Sequence, residues 1–580
     1  MERRVLWAVI LMGIVITLTN VLFPPAKPKP AGEGAPPAAA VASSPAATGA
    51  PLAAGVAQAP AREVTVTSPL YRYTFSTRGA ALARAEMLHY ASAFDRGQPV
   101  QLVPAGVTDF LAYRLVTGRD TVDLRGLPFQ PSAPALQVGG APAELRFTYG
   151  APGGLGVEVT YTFHPDNYLV DVRGRVTGAA RGAQLLTDLG PGLANHEAEP
   201  ARYRRDQAAV AMSADGAENL PFMKVEGADT VQGPLTWAAT KNKYFVTALV
   251  AGSGPGFGSM VVRQLPEARL VERRGEKTDT VRLRQARTLV SVPLGADGSF
   301  AYQEYVGPQE HGRLAAVGHD LDQVNPYGYR WLRPVVRPIA AGVLWILREL
   351  HDSLGLSYGW VLVIFGVMMK VILWPLNSKA MRAQLKNMAV QPLMQEIQTK
   401  YKNDPQKQQE EMMKLYREYG FNPVAGCLPL LIPMPVLFTL FFVFQSAIEF
   451  RGVGFGWLPD LSQRDPLYIL PVLLMGSTFL MQWISTKLSG MEQNAQMKTM
   501  MYFMPLMMGM FFFNLASGLN LYYLTTNLAG IPQQLLISRE RKRHQDEMKK
   551  QGGPVPVAKK PGGSGGSGGQ TAARRVKRRG

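Results

Sequence analysis

The chain has 580 residues with 61 lysines and arginines against 43 acids, a net charge of +18, so it has room for several domains and suits anionic partners such as a lipid surface or RNA. Its single cysteine, Cys427, excludes an intrachain disulfide, so any exported part must stand on its own core. No zinc-helix motif, P-loop or G-x-S-x-G elbow occurs, which argues against those hydrolase and nucleotide-binding classes.

Arg3 and Arg4 precede an apolar run at 5–23 that is long enough to span a bilayer and ends at Pro24-Pro25. No small-x-small cleavage site follows, which predicts an uncleaved signal anchor with a cytoplasmic N-terminus. Residues 24–62 are Ala, Pro and Gly in the main, a tether that cannot bury enough apolar area to fold.

From 63 to about 301, within a domain at 63–320, the period is that of strands. Val64 and Val66 alternate with threonines, and Tyr71, Tyr73 and Phe75 continue the pattern. Two apolar-alternating runs, 157–163 and 168–172, flank His164-Pro165-Asp166-Asn167 and predict a hairpin. Long helical periods are missing, which predicts an all-β, antiparallel sandwich. His164, His196 and His311 stand apart from one another and read as ordinary turn or surface histidines.

The segment 331–351 alternates apolar residues with arginines at helical spacing, which predicts an interfacial amphipathic helix. The run 358–376 is apolar except for Lys370, and it opens a polytopic core at 357–537. The stretch 377–422 predicts a cytoplasmic helical hairpin with apolar stripes at Met381, Leu385 and Met388 and at Met412, Leu415 and Tyr419. A span at 423–448 begins among Pro423, Pro429, Pro433 and Pro435 and carries Gln445 and Ser446 near its far end. After an outer loop at 450–466, the span 467–484 carries Thr478 and Gln482, and 500–513 and 519–537 form a last pair. With the N-terminal anchor this makes about six spans and puts both termini inside.

A lone lysine at a helix centre costs roughly 2.5–3.5 kcal/mol on insertion scales, so Lys370 needs an escape route or company. Two placements are open: the ammonium climbs past Trp374 to the water, or it faces a wet cavity shared with polar groups on other spans. Gln482, Tyr523 and Asn527 are the first such groups, and Thr478 and Gln445 join them. Met504 and Met508 belong to a methionine-rich, deformable face suited to varied apolar partners or to plain lipid packing. Beyond Ile537 the tail, 538–580, reads as a basic, disordered cytoplasmic extension. Arg539, Arg541, Lys542, Arg543, Arg574, Arg575, Lys577, Arg578 and Arg579 would bind phosphate there, on RNA or on anionic lipid.

The stretches KVILWPLNSKAMRAQ (370–384), VQPLMQEIQTKY (390–401), EMMKLYREYGFNPVAGCLPLLIPMPV (411–436), DPLYILPVLLMG (465–476) and SGLNLYYLTTN (517–527) resemble the YidC/Oxa/Alb family of membrane protein insertases. WAATKNKYF (237–245) and YVGPQE (305–310) resemble the exported domain found in members from double-membrane bacteria. The resemblance implies a five-helix insertase core and a periplasmic sandwich in the cell inner membrane, working as a monomer with no cofactor and no enzymatic step. It implies a groove open to cytoplasm and lipid, with Lys370 where many relatives carry arginine. That exchange keeps the charge and loses the forked guanidinium. Gln482 and Tyr523 would line the groove, and Met434, Leu437 and Tyr523 the apolar exit to lipid. The implied partners are nascent membrane proteins, the Sec translocon and ribosomal RNA. A secondary transporter or channel using the Lys370 cavity for a solute is the rival, although no duplicated half is visible.

Overall fold

A computed structural model describes residues 61–378, 391–419, 434–488 and 503–550, with short breaks at 94–96, 119, 152–153, 181, 198–204, 253, 275–276, 326, 328–331, 504–505 and 508. The predicted anchor, the tether, much of the hairpin's first helix and the proline-rich start of the 423–448 span lie outside the described residues.

Strands fill the chain from Glu63–Thr67 to Ser299–Pro308. The longest sheet has nine strands, and its middle runs Trp237–Lys241, Phe245–Val250, Ser299–Pro308, Leu169–Thr177, Gly156–Phe163. The predicted hairpin is there: Gly156–Phe163 pairs antiparallel with Leu169–Thr177, and Asn167 accepts from the Leu169 amide at 2.9 Å to shape the turn. Val157, Val159, Tyr161 and Phe163 alternate inward, as period two requires. A six-stranded sheet runs from Ala228–Leu235 to Asp120–Asp123, and a five-stranded one includes Glu63–Thr67 and Tyr71–Ser76.

These three larger sheets share one core; a separate two-stranded hairpin pairs Ala268–Arg274 with Lys277–Leu283. The Tyr113 hydroxyl of the six-stranded sheet meets the Tyr302 and Tyr161 hydroxyls of the nine-stranded one at 2.8 and 3.1 Å. Tyr73 of the five-stranded sheet donates to the Val306 carbonyl at 2.6 Å. The domain is therefore β-rich and sandwiched, with a third sheet that a two-layer expectation lacks. It also holds one parallel pair, Thr65–Thr67 beside Ala135–Gln137. Seventy residues separate those strands, so no local pattern announces their pairing.

A short helix α1 (His311–Val317) leads to α2 (Arg333–Leu354), which buries Val336, Ala340, Val343, Leu344 and Leu347 and leaves Trp345 exposed. Gly355, at φ 61°, ends α2 in the left-handed region and turns the chain into α3 (Tyr358–Ile372). The predicted hairpin contributes α4 (Gln391–Lys400) and α5 (Pro405–Tyr419). Then follow α6 (Met434–Ser446), α7 (Ile469–Leu488) and α8 (Ser517–Lys550). The helical stretch Tyr358–Ser378 is long and apolar enough to cross a membrane; Val436–Ser446 and Ile469–Ser485 are apolar but shorter. Helix α8 packs along both α3 and α7, and α6 packs on α2.

One expectation is corrected outright. The basic segment after Ile537 is not disordered from its start: α8 continues unbroken to Lys550. Nothing in SRERKRHQDEMKK breaks a helix, and Arg, Lys, Glu, Gln and Met are good helix formers. Arginine contacts fasten the β-rich part to the helices, among them Arg333 of α2 donating to the Ala217 carbonyl at 3.3 Å. Arg451, in the loop after α6, donates to Glu197 at 2.8 Å and to the Ala91 carbonyl at 2.9 Å. Arg348 of α2 pairs with Glu310 at 2.9 Å.

Candidate functional site around Lys370

Helices α3 and α8 run side by side in the same direction, and small residues set their spacing. A Cβ on Gly366 would lie 3.1 Å from Thr525 Cγ2, and one on Gly530 would lie 2.8 Å from Lys370 Cε and 2.9 Å from its Nζ. The lysine head therefore lies flat across the face of α8 where Gly530 leaves room. At 1.5 Å per residue, Lys370 sits about 18 Å along α3 and Gly530 about 20 Å along α8. The ammonium thus stays near the level of its own backbone, against Gly530. Lys370 is half-buried, with the Met481 methyl also close to Gly530.

One turn further along, Gln533 donates to the Trp374 carbonyl at 3.3 Å and to Ser378 at 3.4 Å. Trp374 and Ser378 follow Lys370 at i+4 and i+8, so one stripe of the helical stretch Tyr358–Ser378 meets α8 from Gly366 to Ser378.

Helix α8 also meets α7. Asn527 donates its amide to both Ser477 and Thr478 hydroxyls at 3.1 Å. Each hydroxyl gives its own proton back to the Leu474 carbonyl at 2.8 Å, which leaves its lone pairs for Asn527. The cluster is satisfied internally and sits one turn from Gly530 on the same face of α8. Tyr523, a turn earlier on that face, packs its ring 5.1 Å from Phe512 and 5.4 Å from Tyr522.

Lys370, Thr478, Tyr523 and Asn527 are thus brought to the two seams of one helix. Gln482 is exposed on α7, one turn beyond Thr478. Gln445 is elsewhere: at the far end of α6 it lines a cavity with Lys241 and Tyr327. Leu437 is half-buried on α6, while the side chain of Met434, at its first residue, and Met504 and Met508 lie outside the described residues. Arg539, Lys542 and Arg543 are exposed on the last turns of α8; the Arg541 side chain and Arg574, Arg575, Lys577, Arg578 and Arg579 lie outside the described residues. Sequence reasoning passed over Ser477, Gly530 and Gln533. Gly530 lies i+3 from Asn527 and Gln533 lies i+3 from Gly530, a spacing that marks each as its predecessor's neighbour only once α8 is known to be the central helix.

Among the described residues no group of three or more His, Cys, Asp or Glu could hold a metal ion.

Two family models match the chain: a 60 kDa inner membrane protein over residues 349–545, and a YidC periplasmic domain over 63–341. The membrane protein insertase YidC of Geobacter metallireducens is 32% identical over 562 residues, covering 93% of this chain and 98% of that one. The membrane protein insertase YidC of Chlorobium phaeovibrioides is 32% identical over 517 residues, covering 82% and 83%. Among solved structures, an active YidC insertase crystal structure with the first transmembrane domain resolved matches with TM-score 0.33 at 20% identity, covering 82% of this chain and 92% of that one.

Proposed function

The chain belongs to the YidC family of membrane protein insertases, a non-enzymatic family of the inner membrane, and from that premise we propose how it inserts its clients. A client tail enters from the cytoplasm along the seam of α3, α7 and α8, where Lys370 offers a positive charge. Moving a polar tail through about 30 Å of hydrocarbon is the costly step. A wet seam reaching partway shortens the dry distance, and a cation inside it partly offsets the desolvation of an acidic tail. Burial of the apolar client helix in lipid then drives the process, at about 25 cal/mol per Å². Thr478, Gln482 and Asn527 keep the seam polar, and Tyr523 with Met434, Leu437, Met504 and Met508 forms the apolar exit.

The observation that carries this reading is the Lys370 ammonium held against Gly530, between helices. In the same proposal the chain has six spans with both termini in the cytoplasm and the domain at 63–320 in the periplasm. It works as a monomer, alone or beside the Sec translocon, and its basic end meets ribosomal RNA or anionic lipid through charge. Family membership favours this over a transporter, which would need a gate on each side.

The test is insertion of a single-span client with a short acidic tail into liposomes holding only this protein. Lys370→Glu is expected to slow insertion by roughly tenfold or more, about 1.4 kcal/mol per decade. Lys370→Ala falls between, and Lys370→Arg keeps most of the activity. Equal rates for all four proteins would rule out capture by charge.

A further inference from the structure

A cavity of about 430 Å³ lies where the β-rich domain faces the end of α6, far along the chain from Lys370. Its two walls differ in chemistry. The β-rich wall brings three cations, Arg205, Lys241 and Lys243, with Asn219 beside them and Asp206 as the single acid; the α6 wall brings Phe441 and Phe442 and, at its end, Gln445 and Ser446. Lys241 is 9% exposed, and its ammonium donates to Asn325 at 2.5 Å. The Asn219 side-chain oxygen is buried without a hydrogen-bond partner.

A buried lysine is costly unless something anionic joins it. Burial pushes the Lys241 ammonium down, and even with Asp206 opposing, it comes to about 8. The cations outnumber the acid by two, so the polar wall calls for an anion. The aromatic wall belongs to a helix that is mostly apolar up to Phe444 and turns polar only at Gln445 and Ser446. A ligand answering both walls carries an anionic head and apolar chains.

We infer that this cavity binds the phosphate headgroup of an anionic phospholipid, held by Arg205, Lys241 and Lys243, with its acyl chains along Phe441 and Phe442. The inference rests on the proposed topology, which sets the end of α6 at the outer surface of the bilayer. The bound lipid would tie the β-rich domain to the membrane through the very helix that it overhangs.

The test uses the full chain in detergent micelles, titrated with dihexanoyl phosphatidylglycerol, dihexanoyl phosphatidylcholine and sodium phosphate. Phosphatidylglycerol is expected to bind roughly tenfold or more tightly than phosphatidylcholine. The double variant Arg205→Gln/Lys243→Gln, which alters the less buried cations and spares the core, is expected to erase that preference. Phe442→Ala is expected to weaken the lipid and leave sodium phosphate unchanged. Sodium phosphate binding as tightly as phosphatidylglycerol would assign the cavity to free phosphate and overturn the lipid occupant. Unaltered lipid binding in the double variant would overturn the site itself. Lys370→Ala serves as the independent arm: it leaves lipid binding intact, so a failure of the insertion groove is read separately from a failure of this cavity.

Discussion

Trp237 and Val371 are both apolar residues inside regular elements, yet the first is fully buried and the second is 62% exposed. The contrast holds between their regions. Of the large apolar residues left exposed among the described ones, all but Met223 lie at Val335 or beyond. The β-rich domain closes its apolar surface against itself, as a water-facing domain must. The helical region turns Val367, Val371, Ile372, Leu473, Leu480 and Trp483 outward, which in water would be a large sticky patch and in lipid is ordinary. Polar groups follow the opposite logic. In the β-rich core a buried carboxyl, Glu304, is answered by the Tyr302 hydroxyl at 3.2 Å, whereas Lys370 lies in a seam made of a glycine, a methionine and nearby polar groups.

The contrast can be broken most sharply by truncation. Trp237→Ala should destabilise the β-rich domain by about 3–5 kcal/mol, while Val371→Ala should stay within about 0.5 kcal/mol, both followed by denaturant unfolding of the full chain. Comparable losses at the two sites would mean that the helical surface is packed rather than lipid-facing. Next in size is the joint between the regions. Arg451 has a 5% exposed side chain paired with Glu197 and lies 5.7 Å from the Phe245 ring. Arg451→Ala leaves a carboxylate without its partner and should cost about 3 kcal/mol, visible as a lower melting temperature and faster proteolysis between the two parts.

A smaller effect, confined to function, is expected at Gly530. A methyl group there displaces the Lys370 head, so Gly530→Ala should slow insertion of acidic-tailed clients several-fold and leave neutral-tailed ones alone. Equal slowing of both would point to helix packing instead of charge placement. The smallest effect concerns pH. Burial raises the Glu304 carboxyl from 4.5 to about 8, so the folded state holds a proton that the unfolded chain releases. Its stabilising contribution is complete below about 4.5 and fades as pH climbs to about 8. The melting temperature should therefore fall by a few degrees from pH 6 to pH 9, and Glu304→Gln should flatten that part of the slope. A slope unchanged by the substitution would assign it to other groups.

Much of this was legible before any coordinates. Period-two alternation at Val157, Val159 and Tyr161 announced strands, and His164-Pro165-Asp166-Asn167 announced their turn, because both signals are local. The apolar run around Lys370 was equally plain, since a charge within it stands out by its cost. The parallel pairing of Thr65–Thr67 with Ala135–Gln137 is not legible, because it joins strands far apart in the chain, and the packing of the sheet they belong to against the other two is likewise a matter of tertiary contact. The end of α8 was misjudged for a different reason: charge was read as disorder, although Arg, Lys and Glu propagate a helix well.

By itself, then, the sequence determined which segments prefer water and which prefer lipid, and which side chains carry charge into the apolar runs. Those are properties of residue type and spacing, set by transfer free energy and backbone period. Tertiary structure decided the partners: that Lys370 lies over Gly530, that Asn527 holds Ser477 and Thr478, and that Gln445 faces the cations of the β-rich domain. Such pairings join residues some 50 to 240 positions apart, and only the packing of whole helices and sheets brings them within reach.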